Sequence, residues 1–190
     1  MRVAVSGTHC CGKSTLIDEF LIAHPDFACE PEPYTVLQED YGEIFASEPT
    51  ADDFFRQLEF QVARLRCYKP GDLVICERSP VDFFAYLLAL NDLHKDSQAM
   101  RLIESAQDMV MMAIQLLDLI VFLPLNENDD GTVMADSEDP ELRSAVNDRL
   151  VDIFTEDDFN FFASNQPLIV EATGSTAQRL RMLESVLSGK

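Results

Sequence analysis

Gly7-Thr8-His9-Cys10-Cys11-Gly12-Lys13-Ser14 follows the pattern G-x-x-x-x-G-K-[ST], in which each fixed residue answers one need of a bound polyphosphate. Gly7 and Gly12 permit backbone angles that a Cβ would forbid, so successive N–H groups can point at phosphate oxygens. Lys13 is placed to reach the β- and γ-phosphates, and the Ser14 hydroxyl to ligate Mg²⁺. Thr15 joins Gly7 to Ser14 in the expected nucleotide-binding set. ATP with Mg²⁺ is the expected ligand, although the loop alone does not separate ATP from GTP.

Two further segments carry candidate chemistry. Glu77 follows the apolar run Leu73-Val74-Ile75-Cys76, a placement from which a carboxylate holds Mg²⁺ directly or through water. Arg78 beside it either meets a substrate oxygen pair with its forked guanidinium or forms an ordinary ion pair. Glu30-Pro31-Glu32-Pro33 leaves another short apolar run, and both carboxylates face the usual ligand crevice of an α/β sheet. Asn126, Asn128, Asp130 and Gly131 match the first half of a calcium loop, but its twelfth position is Ser137, so calcium is not expected. The three histidines share no ligand spacing.

The elements that must position these groups alternate. Apolar strand runs are expected at residues 2–6, 27–29, 73–76, 119–123 and 167–170. Helices are expected at 13–24, 36–46, 52–68 (Thr50 and Asp53 forming a capping pair), 80–90, about 97–117, from Pro140 onward, 157–164 and 176–187. This order implies one α/β domain over residues 1–190: a phosphate-loop NTPase three-layer sandwich with a five-stranded parallel sheet and helices on both faces. Residues from about 124 to 150 read as a polar, acidic lid.

Composition sets bounds. The chain has 190 residues and a formal net charge of −20, which disfavours nucleic acid but not a mononucleotide held at a local positive site. No apolar run is long enough to span a bilayer, and no leader is expected because the strand-loop-helix begins at residue 2. Five cysteines without scaffold spacing suggest reduced thiols and a cytoplasmic location. Cys29 and Cys76 are expected in the core.

Glu32-Pro33-Tyr34, then Phe60-Gln61, then Cys76-Glu77-Arg78-Ser79 before an aromatic helix, resembles the deoxynucleoside kinases and the wider phosphate-loop nucleoside and nucleotide kinase group. The chain also resembles the phosphate-loop set that includes nicotinamide riboside kinase domains. The first resemblance implies Glu32 as base for a substrate hydroxyl, Phe60 and Gln61 as nucleobase contacts, and Glu77 and Arg78 on Mg²⁺ and substrate. In the second half the match departs, because residues 123–141 contain no arginine. Arg143 and Arg149 follow on the next helix, where they either swing over the transferred phosphate or pair with nearby acids. Gly174-Ser175-Thr176 and Arg179 are where such kinases receive adenine, and a plain helix cap explains them equally well.

The reading is a small-molecule kinase with catalytic residues Lys13, Glu32, Arg78, Arg143 and Arg149. Its acceptor is a small molecule of nucleoside type, and a homodimer is left open. The alternative is a regulatory NTPase acting through a protein partner. Neither a switch Asp-x-x-Gly after the third strand nor a guanine-selecting Asn-Lys-x-Asp is present.

Overall fold

The computed structural model describes residues 1–46, 48–125, 139–162 and 167–188. Its elements run β1 (Arg2–Ser6), α1 (Lys13–Ala23), β2 (Ala28–Glu30), α2 (Pro33–Glu39), α3 (Ala51–Leu65), β3 (Val74–Glu77), α4 (Pro80–Asp92), α5 (Ala99–Ile114), β4 (Leu119–Phe122), α6 (Pro140–Glu156), β5 (Leu168–Glu171) and α7 (Thr176–Ser188). All strands are parallel, in the order β2-β3-β1-β4-β5. The expected three-layer sandwich with five strands is therefore present.

β1 lies at the centre because every one of its side chains is apolar or internally paired, and all five residues are buried. Strand alternation splits its neighbours between two cores. Ala4, Cys76, Ile120 and Phe122 face α3, α4, α5 and α6. Val3, Val5, Ile75 and Val121 face the opposite layer with Leu16, Phe20 and Leu183. Arg2 is kept at the foot of the sheet by Asp118, which takes both its backbone N–H and its guanidinium.

Several boundaries differ from expectation, each for a local reason. α2 begins at Pro33, three residues earlier than expected, because proline at the first helical position needs no N–H partner. It stops at Glu39, and residues 41–46 do not continue it. Thr50 and Asp53 do form a capping box for α3. Asp96, which with Ser97 is a candidate cap by sequence for α5, does not cap it: the N-cap is Gln98. The Asp96 carboxylate takes Ala51 N–H at 2.9 Å and Gln98 N–H at 2.7 Å, tying the start of α3 to the start of α5. Residues 157–162 form turns rather than a helix: Asp157 is left-handed and its carboxylate takes the N–H groups of Phe161 and Phe162. β5 is an edge strand, half-exposed rather than fully buried. Cys29 is exposed, because β2 is an edge too, whereas Cys76 on β3 is buried. The acidic lid tip and its partial calcium-loop pattern (126–138) fall outside the described residues. No helix among the described residues is long and apolar enough to cross a membrane.

Candidate active site

The loop leaves the C-terminal end of the central strand, where an open α/β sheet forms its ligand crevice. Gly7 is required by contact as well as angle: a Cβ there would lie 2.6 Å from Cys11 Sγ and 2.7 Å from Leu123 O. Lys13 is buried, and its Nζ spans the loop to Thr8 O at 2.7 Å. The Ser14 hydroxyl donates to Glu77 Oε1 at 2.7 Å, joining the first turn of α1 to the end of β3. A hydroxyl and a carboxylate are hard oxygen donors, the set Mg²⁺ uses alongside water and phosphate oxygens. Ser14 and Glu77 therefore fit a magnesium ion that a nucleotide brings with it.

The outer side of the loop is held from three elements. Asp82 on α4 is fully buried and takes Gly7 N–H at 2.8 Å and the Ser6 hydroxyl at 2.5 Å. It also takes Ser79 N–H at 2.8 Å and the Ser79 hydroxyl, so one carboxylate caps α4 and fixes the mouth of the loop. Arg143 on α6 donates from Nε to His9 O at 2.9 Å and from Nη2 to Cys10 O at 3.3 Å. Arg179 on α7 donates from Nη1 to Cys11 O at 2.6 Å.

Beside the loop lies a cavity of about 530 Å³. Glu32, Arg78, His9 and Arg143 are on its polar side. Phe54 and the stacked pair Tyr34–Phe45, with ring centroids 4.9 Å apart, form its aromatic one. Arg78 is fully buried with a left-handed backbone at φ 74°. That conformation is costly for an arginine and persists because its surroundings over-determine it. Its N–H donates to Val5 O, and Gln61 donates to its carbonyl. The guanidinium reaches Glu32 through Nε, Gly7 O through Nη1 at 3.1 Å and His9 Nδ1 through Nη2 at 3.1 Å. It also lies over the Tyr86 ring, 5.3 Å from the centroid. Burial pushes the Glu32 carboxyl up, but Arg78 and then Lys13 outweigh it and lower its pKa to about 2.

Most of the expected residues of the first ninety meet here. Lys13, Ser14, Glu32, Glu77 and Arg78 surround the loop mouth. Glu30 does not line the cavity: Arg64 Nη2 at 2.6 Å and the Tyr68 hydroxyl hold it. Phe60 and Gln61 do not line the large cavity. Phe60 packs edge-on against Tyr41, and Gln61 is spent on the Arg78 carbonyl. Gln57, one helical turn earlier, lines the cavity in their place. Arg143 lines the cavity and its guanidinium donates to the loop carbonyls of His9 and Cys10. Arg149 is not brought to the site. It pairs with Asp92 at 2.6 Å and lies near Asp152. Arg179 is buried against the loop instead of being displayed for an adenine ring. Sequence reading missed Asp82 and Tyr34, Phe45 and Phe54. The Ser79-x-x-Asp82 capping box was the one available signal for Asp82.

Residues 2–179 match the model of an AAA domain family, and the chain belongs to that family. The fold is shared with solved nucleoside and nucleotide kinases. Deoxyadenosine kinase from M. mycoides with bound dATP matches at 14% identity and a TM-score of 0.66, over 99% of both chains. Thymidylate kinase from Candida albicans matches at 15% identity and a TM-score of 0.68, over 99% of this chain and 91% of that one. NadR protein in complex with NR matches at 16% identity and a TM-score of 0.66, over 100% of this chain but 52% of its own. No curated protein matches by sequence.

Proposed function

We propose that this chain is an ATP- and Mg²⁺-dependent phosphotransferase that acts on a hydroxyl of a small nucleoside- or nucleotide-like metabolite. The observation that carries the reading is Glu32. An ionised carboxylate lines a cavity with aromatic walls, next to a phosphate loop, and Arg78 holds it there. A hydrolase needs room for water alone, whereas about 530 Å³ accommodates a small organic acceptor. The fold shared with deoxyadenosine kinase, thymidylate kinase and NadR supports the same class.

In this mechanism Glu32 accepts the hydrogen bond of the acceptor hydroxyl and aims its oxygen at the γ-phosphorus. The new P–O bond forms as the bond from that phosphorus to the β–γ bridging oxygen breaks, and ADP leaves. With its pKa lowered to about 2, Glu32 is a weak base. It orients the hydroxyl first and takes the proton late, which suits a loose phosphoryl-transfer transition state. Lys13 balances charge on the leaving phosphates. Mg²⁺, held by Ser14 and Glu77, would neutralise phosphate charge. Arg78 fixes Glu32, and the clamped loop supplies N–H donors that need no rearrangement. Reduced cysteines are consistent with a cytoplasmic enzyme.

The test is ADP formation from Mg-ATP against nucleosides, nucleoside monophosphates and nicotinamide riboside. Stimulation by one acceptor, with its phosphorylated product found by mass spectrometry, is expected. ADP release indifferent to every acceptor would overturn the reading in favour of a regulatory NTPase.

A further inference from the structure

Alone among the phosphate-loop side chains, His9 forms part of the cavity wall with Glu32, Tyr34 and Phe54. The ring is held from two directions. Arg78 Nη2 lies 3.1 Å from Nδ1, and the Tyr86 ring packs at 5.3 Å between centroids, tilted by 60°. A guanidinium has only donors, so Nδ1 must be the acceptor. That fixes the tautomer: the imidazole is neutral and carries its proton on Nε2. Burial, then the charge of Arg78, lowers the His9 pKa to about 3, so this state holds across the physiological range. Among the described residues Nε2–H has no partner.

The same guanidinium therefore orients two groups of opposite character. Its Nε holds Glu32, which accepts hydrogen bonds, and its Nη2 holds His9, which offers one. They lie on one side of the fork, so a ligand meets an acceptor and a donor side by side. A neutral N–H suits an uncharged oxygen, since Lys13 and the helix N-terminus already serve the phosphates.

We infer that His9 is an acceptor-binding residue whose Nε2–H donates to a second oxygen of the substrate, beside the hydroxyl held by Glu32. This rests on the kinase reading and narrows its substrate class to sugar-like acceptors with two neighbouring oxygens, such as a hydroxymethyl group next to a ring oxygen.

Three variants separate this role from a brace on Arg78. His9→Gln places an amide N–H near the Nε2 position. His9→Asn offers Arg78 an acceptor near Nδ1 but no donor to the cavity. His9→Phe keeps the ring contact with Tyr86 and loses both. Calorimetry would follow binding of 2′-deoxyadenosine, thymidine and nicotinamide riboside, with a fluorescent ATP analogue titrated in parallel. For whichever acceptor binds the wild type, Asn and Phe are expected to weaken affinity about tenfold, Gln by no more than about threefold, and ATP affinity by less than about twofold. Asn behaving as wild type, Gln as poor as Phe, or equal losses for ATP would overturn the proposal, as would failure of all three probes to bind the wild type. Acceptor binding with this pattern but no phosphoryl transfer would overturn the kinase reading and leave the His9 contact standing.

Discussion

Arg78 and Arg143 both lie within hydrogen-bond reach of the phosphate loop, but they serve two differently built halves of the site. The half made by the exit of β2, by α3 and by the β3–α4 turn points its polar groups at the cavity: Arg78 presents Glu32 and His9 there. The half made by α6 and α7 spends its cations on the loop backbone, although Arg143 also borders the cavity. Arg143 and Arg179 bind the carbonyls of three consecutive residues, His9, Cys10 and Cys11. Positive charge thus has two uses around one loop. On one side it fixes chemistry, and on the other it fixes the shape of the cradle. In a chain with net charge −20, that second use gathers two guanidinium groups against the loop.

The comparison can be broken by substitution. The largest effect is expected from Lys13→Ala, which belongs to both halves. ATP affinity should fall at least about tenfold and transfer about a thousandfold, measured by nucleotide titration and ADP formation. Glu32→Gln should lower transfer by about 10²- to 10⁴-fold and leave ATP affinity nearly unchanged. Glu30→Gln, two residues away, should instead cost about 1–3 kcal/mol of stability through Arg64 and Tyr68, with transfer largely kept. Equal kinetic losses for the two carboxylates would erase the distinction between them.

Arg143→Ala should lower melting temperature and ATP affinity together, by about 1–3 kcal/mol of stability, because the guanidinium's contacts to the His9 and Cys10 carbonyls are lost. A loss confined to kcat would instead mark Arg143 as a residue over the transferred phosphate. The pH response sharpens the other half. The Glu32 pKa is lowered from 4.5 to about 2, so its stabilising contribution is present above about pH 4.5 and disappears as pH falls towards about 2. Wild-type transfer should show no acid limb from Glu32 between pH 5 and 8. In Arg78→Met the largest charge opposing burial is gone and Lys13 remains, so the carboxyl should move up and a limb should shift towards that range. The smallest effect is expected for Arg149→Ala, a change within about twofold in transfer, since its partners are the exposed Asp92 and Asp152.

What was legible in the chain follows from how local each signal is. The phosphate loop, the capping box of α3 and the five strand runs are written in neighbouring residues, and all are present. Glu30 and Glu32 share parity, but alternation ends with β2 at Glu30, and Pro31 turns the chain; only the fold separates them. Gln57 and Gln61 lie on one face of α3, so the face was readable and the depth along it was not. Asp82 fastens residues some 75 positions away, a relation no spacing reveals. Arg143 and Arg179 carry the charge expected of phosphate ligands, yet the carbonyls on the back of the loop compete for them. Sequence has no register for that competition.

The most direct measurement is the stoichiometry of products under Mg-ATP with a binding nucleoside, comparing wild type with Glu32→Gln by mass spectrometry and nucleotide chromatography. One phosphorylated acceptor per ADP in the wild type, with both products falling together in the variant, is the predicted result. ADP and inorganic phosphate without a phosphorylated acceptor, at a rate unchanged by Glu32→Gln, would contradict the account.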